Sequence, residues 1–188
     1  MEENETIMSP LGQSMLEDAD LIWAEKLVHN MTEEEKSAYA KIAKTLHDRK
    51  TSTDEKLAII DEISGHNQKL IDNKALLKDI IESYNILLDY YDEIKKKISP
   101  RAQKFLQTLV DYVRDNPIKM ASVHSKEAQK MFNGMFVFII QSDEKTQEDI
   151  KAIFAGFEPK HKESGISKKF AEFYEKTQYA PMAFVLVL

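Results

Sequence analysis

Five histidines are the first residues in this 188-residue chain that could do chemistry, because an imidazole can bind a metal ion or transfer protons near neutral pH. None of them stands four residues from another, the spacing that places two ligands on one helical face. The chain also contains no cysteine that could supply a thiolate. Only distant residues could converge on a metal ion, so we predict no metal site. The five are His29, His47, His66, His124 and His161.

Acid–base pairs and nucleophile motifs are equally sparse. The carboxylate pairs Asp61-Glu62 and Asp92-Glu93 are adjacent in sequence, so on a helix they diverge by about 100° and cannot share a proton. There is no G-x-S-x-G elbow, and the five glycines are isolated rather than clustered in a phosphate-binding loop. We predict that the chain is not an enzyme and needs no cofactor. An enzymatic alternative would require polar groups that converge only in three dimensions.

Composition predicts the fold class and excludes some partners. The chain is 43% hydrophobic and 31% charged, with only five glycines and five prolines, which is typical of long amphipathic helices. Its net charge is -6 and its basic residues are dispersed, so we predict no nucleic-acid partner. No stretch reaches the roughly 20 apolar residues of a membrane-spanning helix. We expect a secreted protein if a signal peptide has been removed, and otherwise a cytoplasmic one.

Helix-start signals divide the chain into elements. Each combines a Ser or Thr cap with an acidic residue or proline just after it. The longest apolar stripe lies between residues 69 and 98, with a break at Asn73, and a second helix runs from Ser99-Pro100 to Asn116-Pro117. These two segments predict a long antiparallel helical hairpin. The predicted caps are Thr32, Ser52 or Thr53, Ser99, Ser125 and Thr146.

The segment 131–140, MFNGMFVFII, is apolar around most of its circumference. A helix of this kind must be buried on several sides, so we expect it at the centre of the molecule. Its methionines and phenylalanines suit either a packed core or the wall of a cavity that accepts varied alkyl chains. No spacing rule separates these two alternatives.

The domain prediction is a single all-α domain. Residues 1–20 are acidic and polar and are expected to form a flexible arm. Residues 21–178 form the predicted helical domain, in which the long hairpin surrounds an internal apolar cavity. Residues 179–188 form a predicted apolar C-terminal tail.

The order of these elements resembles the nematode fatty-acid- and retinol-binding family. The resemblance rests on the run from Asn30 to Lys36, on the helix boundary from Ile98 to Phe105, and on the segment from Gln147 to Phe154. It continues through Phe157-Glu158-Pro159, which is similar to the family's turn between its C-terminal helices. The resemblance implies a helix-rich carrier with an internal cavity for fatty acids and retinol.

The carrier hypothesis assigns the cavity wall to the helix 131–140, the face 105–113 and the helix 150–157. It assigns Lys104, Arg114 or Lys151 to the ligand carboxylate. Transient contact with a membrane surface is compatible with it. The alternative is a helical protein-interaction module with a packed core, of the nematode SXP type. The predicted ligand-binding residues are Phe105, Leu109, Val113, Phe132, Met135, Phe136, Ile139, Ile150, Ile153 and Phe154.

Overall fold

The computed structural model describes residues 19–121 and 125–182, and within them it is a single all-helical domain, as predicted. A short 3₁₀ helix, Ala180–Met182, follows the last α-helix. The ten described α-helices are α1 (Ala19–Asn30), α2 (Glu33–His47), α3 (Thr53–Ile63), α4 (Gln68–Asp72), α5 (Lys74–Lys95), α6 (Pro100–Asp115), α7 (Pro117–Ala121), α8 (Lys126–Ile140), α9 (Glu144–Ser164) and α10 (Ile166–Thr177).

Several predicted helix starts are confirmed. The Thr32 hydroxyl accepts a hydrogen bond from the Glu35 backbone amide, while the Glu35 carboxylate accepts one from the Thr32 amide. Ser52 and Glu55 form the same reciprocal pair at the start of α3. Ser99 and Ser125 also cap their helices. Because these caps satisfy amides that have no partner inside the helix, local sequence alone fixes where the helices begin.

Two predicted boundaries in the C-terminal half are wrong. Helix α9 starts after Asp143, whose carboxylate accepts hydrogen bonds from the backbone amide and the hydroxyl of Thr146. Thr146 is therefore inside the first turn and is not the cap. The predicted turn at Phe157-Glu158-Pro159 is absent too, because α9 continues through Pro159 and ends at Gly165 in a left-handed conformation.

Helix α5 lies at the centre of the packing. It contacts α3, α9 and α10, while α6 packs mainly against α2 and α9. The predicted break at Asn73 is confirmed, because α4 and α5 meet there. The α5–α6 hairpin and a closed internal cavity stay predictions. The largest apolar side chains that are fully enclosed in this core are Phe170, Phe173, Ile42, Leu46, Ile60, Ile80, Ile81, Leu87, Leu106 and Ile150.

Helix α8 is not the centre of the molecule, contrary to the prediction. It packs on α7 and α9 at the periphery, and only Ala128 and Phe132 on it are buried. Val137 and Ile140 keep 48% and 59% of their surface exposed. Because α8 is apolar around most of its circumference, its sequence does not show which side faces the core. The structure buries one side and leaves the other exposed.

The predicted N-terminal arm, residues 1–20, falls almost wholly outside the described residues, as does the segment 183–188 of the predicted tail. Packing nevertheless continues past the predicted domain boundary at 178. Pro181 and Met182 are buried, and their 3₁₀ helix lies against α2 and α10. The first residues of the predicted tail therefore belong to the core.

Candidate functional site

An apolar groove of about 400 Å³ lies between α6 and α8. This volume is within the range of roughly 300–1,000 Å³ that is usual for small-molecule sites. The groove is lined by Lys104, Phe105, Thr108, Leu109, Tyr112, Met131, Gly134, Met135 and Phe138.

Helical spacing explains why these residues share the groove. On α6, Phe105, Leu109 and Tyr112 follow one another at steps of four and three residues. On α8, Met131 and Phe138 are seven residues apart, two turns along the same face. Each helix therefore contributes one continuous apolar stripe, and the space between the two stripes is the groove.

Aromatic contacts join the two walls at one end. Phe105 stacks on Phe138 with ring centroids 5.6 Å apart, and Phe154 of α9 meets Phe105 edge to face at 6.4 Å. The guanidinium carbon of Arg101 lies 5.1 Å from the centroid of the Phe138 ring, which is a cation–π distance. These contacts fix the position of Phe138 and bring a positive charge close to this end of the groove.

A smaller apolar cluster closes the other end. Val113 and Leu109 of α6 pack there with Ala128 and Phe132 of α8. The start of α6 thus faces the end of α8, and the end of α6 faces the start of α8. The two helices are antiparallel along the groove.

Polar groups on the lining are few. The Thr108 hydroxyl donates to the Lys104 backbone oxygen across 2.8 Å, so it is already satisfied within its own helix. Burial, with a smaller contribution from the charge of Glu127, raises the pKa of the Tyr112 phenol. Lys104 is exposed and is the one cationic side chain among the described lining residues. An apolar wall with a single cation at its edge suits an amphipathic anion.

Three of the ten predicted ligand-binding residues line the groove: Phe105, Leu109 and Met135. Val113 and Phe132 lie beside it in the small apolar cluster, and Phe154 packs against that cluster from α9. Five lining residues lie in the predicted wall segments but are absent from the predicted set of ligand-binding residues. They are Thr108, Tyr112, Met131, Gly134 and Phe138, and the helical stripes through Phe105 and Met135 would have found most of them.

The other four predicted residues are elsewhere. Ile150 and Ile153 are each 1% exposed in the main core, where α9 packs on α5, so they cannot reach a ligand between α6 and α8. Ile139 is partly buried against the same core, and Phe136 is partly exposed on α8. The prediction placed three helices around one cavity, whereas the groove has two walls.

Of the three predicted cations, only Lys104 lines the groove. Arg114 is engaged with Asp111 at 2.9 Å and Asp115 at 2.8 Å, in a separate cleft. Lys151 is exposed on α9 and is not part of the lining. The structure therefore leaves one of the three in position to meet a carboxylate.

Two other clefts are lined by a mixture of charged and apolar residues. A wide cleft of about 830 Å³ at the end of α2 includes Lys41, Lys44 and Arg49, and a smaller one of about 320 Å³ beside α4 includes Asp54 and Asp61. Across residues 19–121 and 125–182, no group of three or more His, Asp or Glu side chains could hold a metal ion. No helix in that part of the chain is long and apolar enough to cross a membrane.

Comparisons with protein-family models, with curated proteins and with solved structures found no match for this chain.

Proposed function

We propose that this protein is a non-catalytic carrier of single-chain lipids, with fatty acids and retinol as the ligand class, and that the ligand lies in the groove between α6 and α8. The observation that carries the proposal is the lining: two facing stripes of aromatic, leucine and methionine side chains with Lys104 at the edge. Methionine side chains adapt to alkyl chains of different shape, which suits a carrier with more than one ligand.

The driving force in this proposal is transfer of the alkyl chain out of water. Each methylene group buried in the groove contributes about 0.8 kcal/mol before the cost of ordering the ligand. A groove of about 400 Å³ holds part of a long chain rather than enclosing all of it. We therefore expect micromolar affinity, with longer chains binding more tightly until the groove is filled.

The second candidate function is a helical protein-interaction module. The observation in its favour is the exposure of Val137 and Ile140 on the outer face of α8, since exposed apolar residues close together often mark a contact surface. This candidate predicts no saturable lipid binding in the groove.

The test is a titration with a fluorescent fatty-acid analogue, in which unlabelled oleate and retinol compete. Gly134→Phe is the blocking variant, because a side chain at Gly134 would project from the groove lining into space with no atom within 4 Å. Val137→Phe is the matched control on the same helix, at an exposed position outside the lining.

The carrier proposal expects a blue-shifted, competable signal for the wild type and Val137→Phe, and a loss of affinity of at least tenfold for Gly134→Phe. Equal binding by all three proteins would place the ligand elsewhere. A probe that stays in a water-like environment with the wild type would remove the carrier proposal and favour the interaction module.

A further inference from the structure

The outer face of α8 carries both exposed apolar side chains and exposed lysines. Its apolar members are Val137 and Ile140, which have the largest exposed fractions, 48% and 59%, of the large apolar side chains of the described residues. Lys126 and Lys130 precede them on the same face, because steps of four and seven residues return to one side of a helix. Both lysines are exposed.

The charged residues on this face are mainly positive. Helix α8 contains a single acidic residue, Glu127, which lies at the edge of the face, about 100° from Lys126 and three residues before Lys130. Across the groove, α6 adds Arg101 and Lys104, both of them exposed. Asp143 at the start of α9 interacts with Arg101, so four positive side chains, Lys126, Lys130, Arg101 and Lys104, stand against Glu127 and Asp143 around α8. The local balance is positive in a chain whose net charge is -6.

A helix with exposed apolar residues and flanking lysines is the pattern of a segment that lies in the interface of a lipid bilayer. The apolar side chains enter the acyl boundary while the lysines meet anionic headgroups. A protein partner with an acidic rim would offer similar charge, but the two exposed apolar residues are few for a stable protein interface, which needs about 1,000 Å². The face is therefore better suited to weak, reversible binding to a bilayer surface.

We propose that the outer face of α8 docks this protein on anionic lipid bilayers. The occupant is the bilayer surface, with Val137 and Ile140 inserted and Lys126 and Lys130 on the headgroups. This inference rests on the proposed carrier function for its purpose, since α8 is also one wall of the groove and docking would bring the groove to the lipid source. The docking itself is measurable without any groove ligand.

The experiment is co-sedimentation with vesicles of phosphatidylcholine alone and of phosphatidylcholine with phosphatidylserine, with no fatty acid present. Two double variants test the face. Val137→Asn/Ile140→Asn removes the apolar contact, and Lys126→Gln/Lys130→Gln removes the charge. Their matched controls are Ile59→Asn/Ile71→Asn, also exposed apolar residues, and Lys162→Gln/Lys168→Gln, also exposed lysines.

The wild type should bind the anionic vesicles more tightly than the neutral ones. Each face variant should lose roughly 10- to 30-fold in affinity for anionic vesicles at low ionic strength, and each control should lose less than about threefold. Equal losses for face and control variants, or no vesicle binding by the wild type, would overturn the docking proposal. A change of oligomeric state in Val137→Asn/Ile140→Asn without a change in vesicle binding would also overturn it, in favour of a second copy of the chain.

Failure of docking and failure of the carrier proposal can be distinguished. The vesicle experiment contains no groove ligand, and the fatty-acid titration contains no vesicles. A carrier that does not dock would still bind the fluorescent analogue, and a docking protein that is not a carrier would still sediment with anionic vesicles.

Discussion

The hydroxyl oxygen of Tyr90 lies 2.5 Å from the position that a β-carbon would take on Gly156. The same hydroxyl donates a hydrogen bond to the Ile153 backbone oxygen across 2.6 Å. Helices α5 and α9 therefore approach closely at a point where one of them has no side chain. Phe154 on the same helix packs against Phe105, which lines the groove. The Tyr90–Gly156 contact therefore helps to position a helix that supports the groove.

Replacement of Gly156 should measure how tightly this contact is packed. We expect Gly156→Ala to lower the free energy of unfolding by about 1–3 kcal/mol, because overpacking outweighs the gain of about 1 kcal/mol from helix propensity. Gly134→Ala is the control in an open position, with no atom within 4 Å, and should raise stability by about 0.5–1 kcal/mol. Urea unfolding compares the two.

A double variant separates this clash from a general effect on α9. Tyr90→Phe removes the oxygen nearest to the added carbon, so Tyr90→Phe/Gly156→Ala should be more stable than the sum of the two single changes predicts. Additive effects, or a Gly156→Ala protein as stable as Gly134→Ala, would contradict the close packing of α5 and α9.

Lys104 should contribute to the binding of a carboxylate but not of an alcohol. We expect Lys104→Gln to weaken oleate binding about two- to fivefold, as for an exposed ion pair, and to leave retinol affinity unchanged because retinol carries no charge. Lys151→Gln is the control at an exposed lysine outside the groove. Competition titrations with oleate and with retinol measure the two affinities. An equal loss for oleate and retinol would mean that Lys104 acts through packing.

Alkaline pH should unfold the protein through its buried tyrosines. Burial raises the pKa of Tyr39, Tyr84 and Tyr91 above the ordinary value of about 10. The neutral, buried phenols stabilise the folded state relative to the unfolded one. Because their folded pKa exceeds the unfolded pKa, this contribution is complete below about pH 10 and is lost as the pH rises further. Tyrosinate absorbance and circular dichroism should therefore change together. Ionisation of these phenols in a protein that keeps its helical signal would contradict their burial.

The buried amine of Lys56 should make the free energy of unfolding rise with pH, in a pH range below that in which the tyrosines ionise. Lys56 is 1% exposed, and its Nζ donates to two uncharged acceptors, the Leu46 backbone oxygen at 3.0 Å and Asn85 Oδ1 at 3.1 Å. Burial, and next the charge of Arg49, lowers its pKa. In the window between this lowered pKa and the unfolded value of about 10.4 the unfolded chain binds more protons, so stability increases with pH.

Unfolding of the wild type and Lys56→Met at about pH 7 and about pH 9.5 tests this sign. The stability of the wild type relative to the variant should be greater at the higher pH. Lys162→Met, at an exposed position, controls for the loss of one positive charge. A wild-type advantage that is the same at both pH values would show that burial does not disfavour the charge of Lys56.

Much of the fold was predictable because its signals are local. Thr32, Ser52 and Ser99 cap helices through bonds to residues three positions away, so neighbouring sequence determines them. Asp143 was missed because Thr146 offered a similar pattern three residues later. The burial of Lys56 had no local signal at all, since it depends on helices that meet only in the folded chain.

The site was predictable only in part for the same reason. The apolar run on α8 contains one wall of the groove, and Met135, one of the predicted ligand-binding residues, lines it. Because nearly every residue of that run is apolar, the sequence did not show whether Phe136 and Ile139 or Met131 and Phe138 face α6. That choice is set by the rotation of α8 against α7 and α9.

The most direct test of the central claim is nuclear magnetic resonance of the methionine methyl groups during an oleate titration. Met131 and Met135 line the groove, whereas Met182 is fully buried in the main core. The carrier account predicts saturable shifts of the Met131 and Met135 methyl signals with the Met182 signal unchanged, and the same pattern with retinol. Unchanged Met131 and Met135 signals at saturating oleate would contradict it.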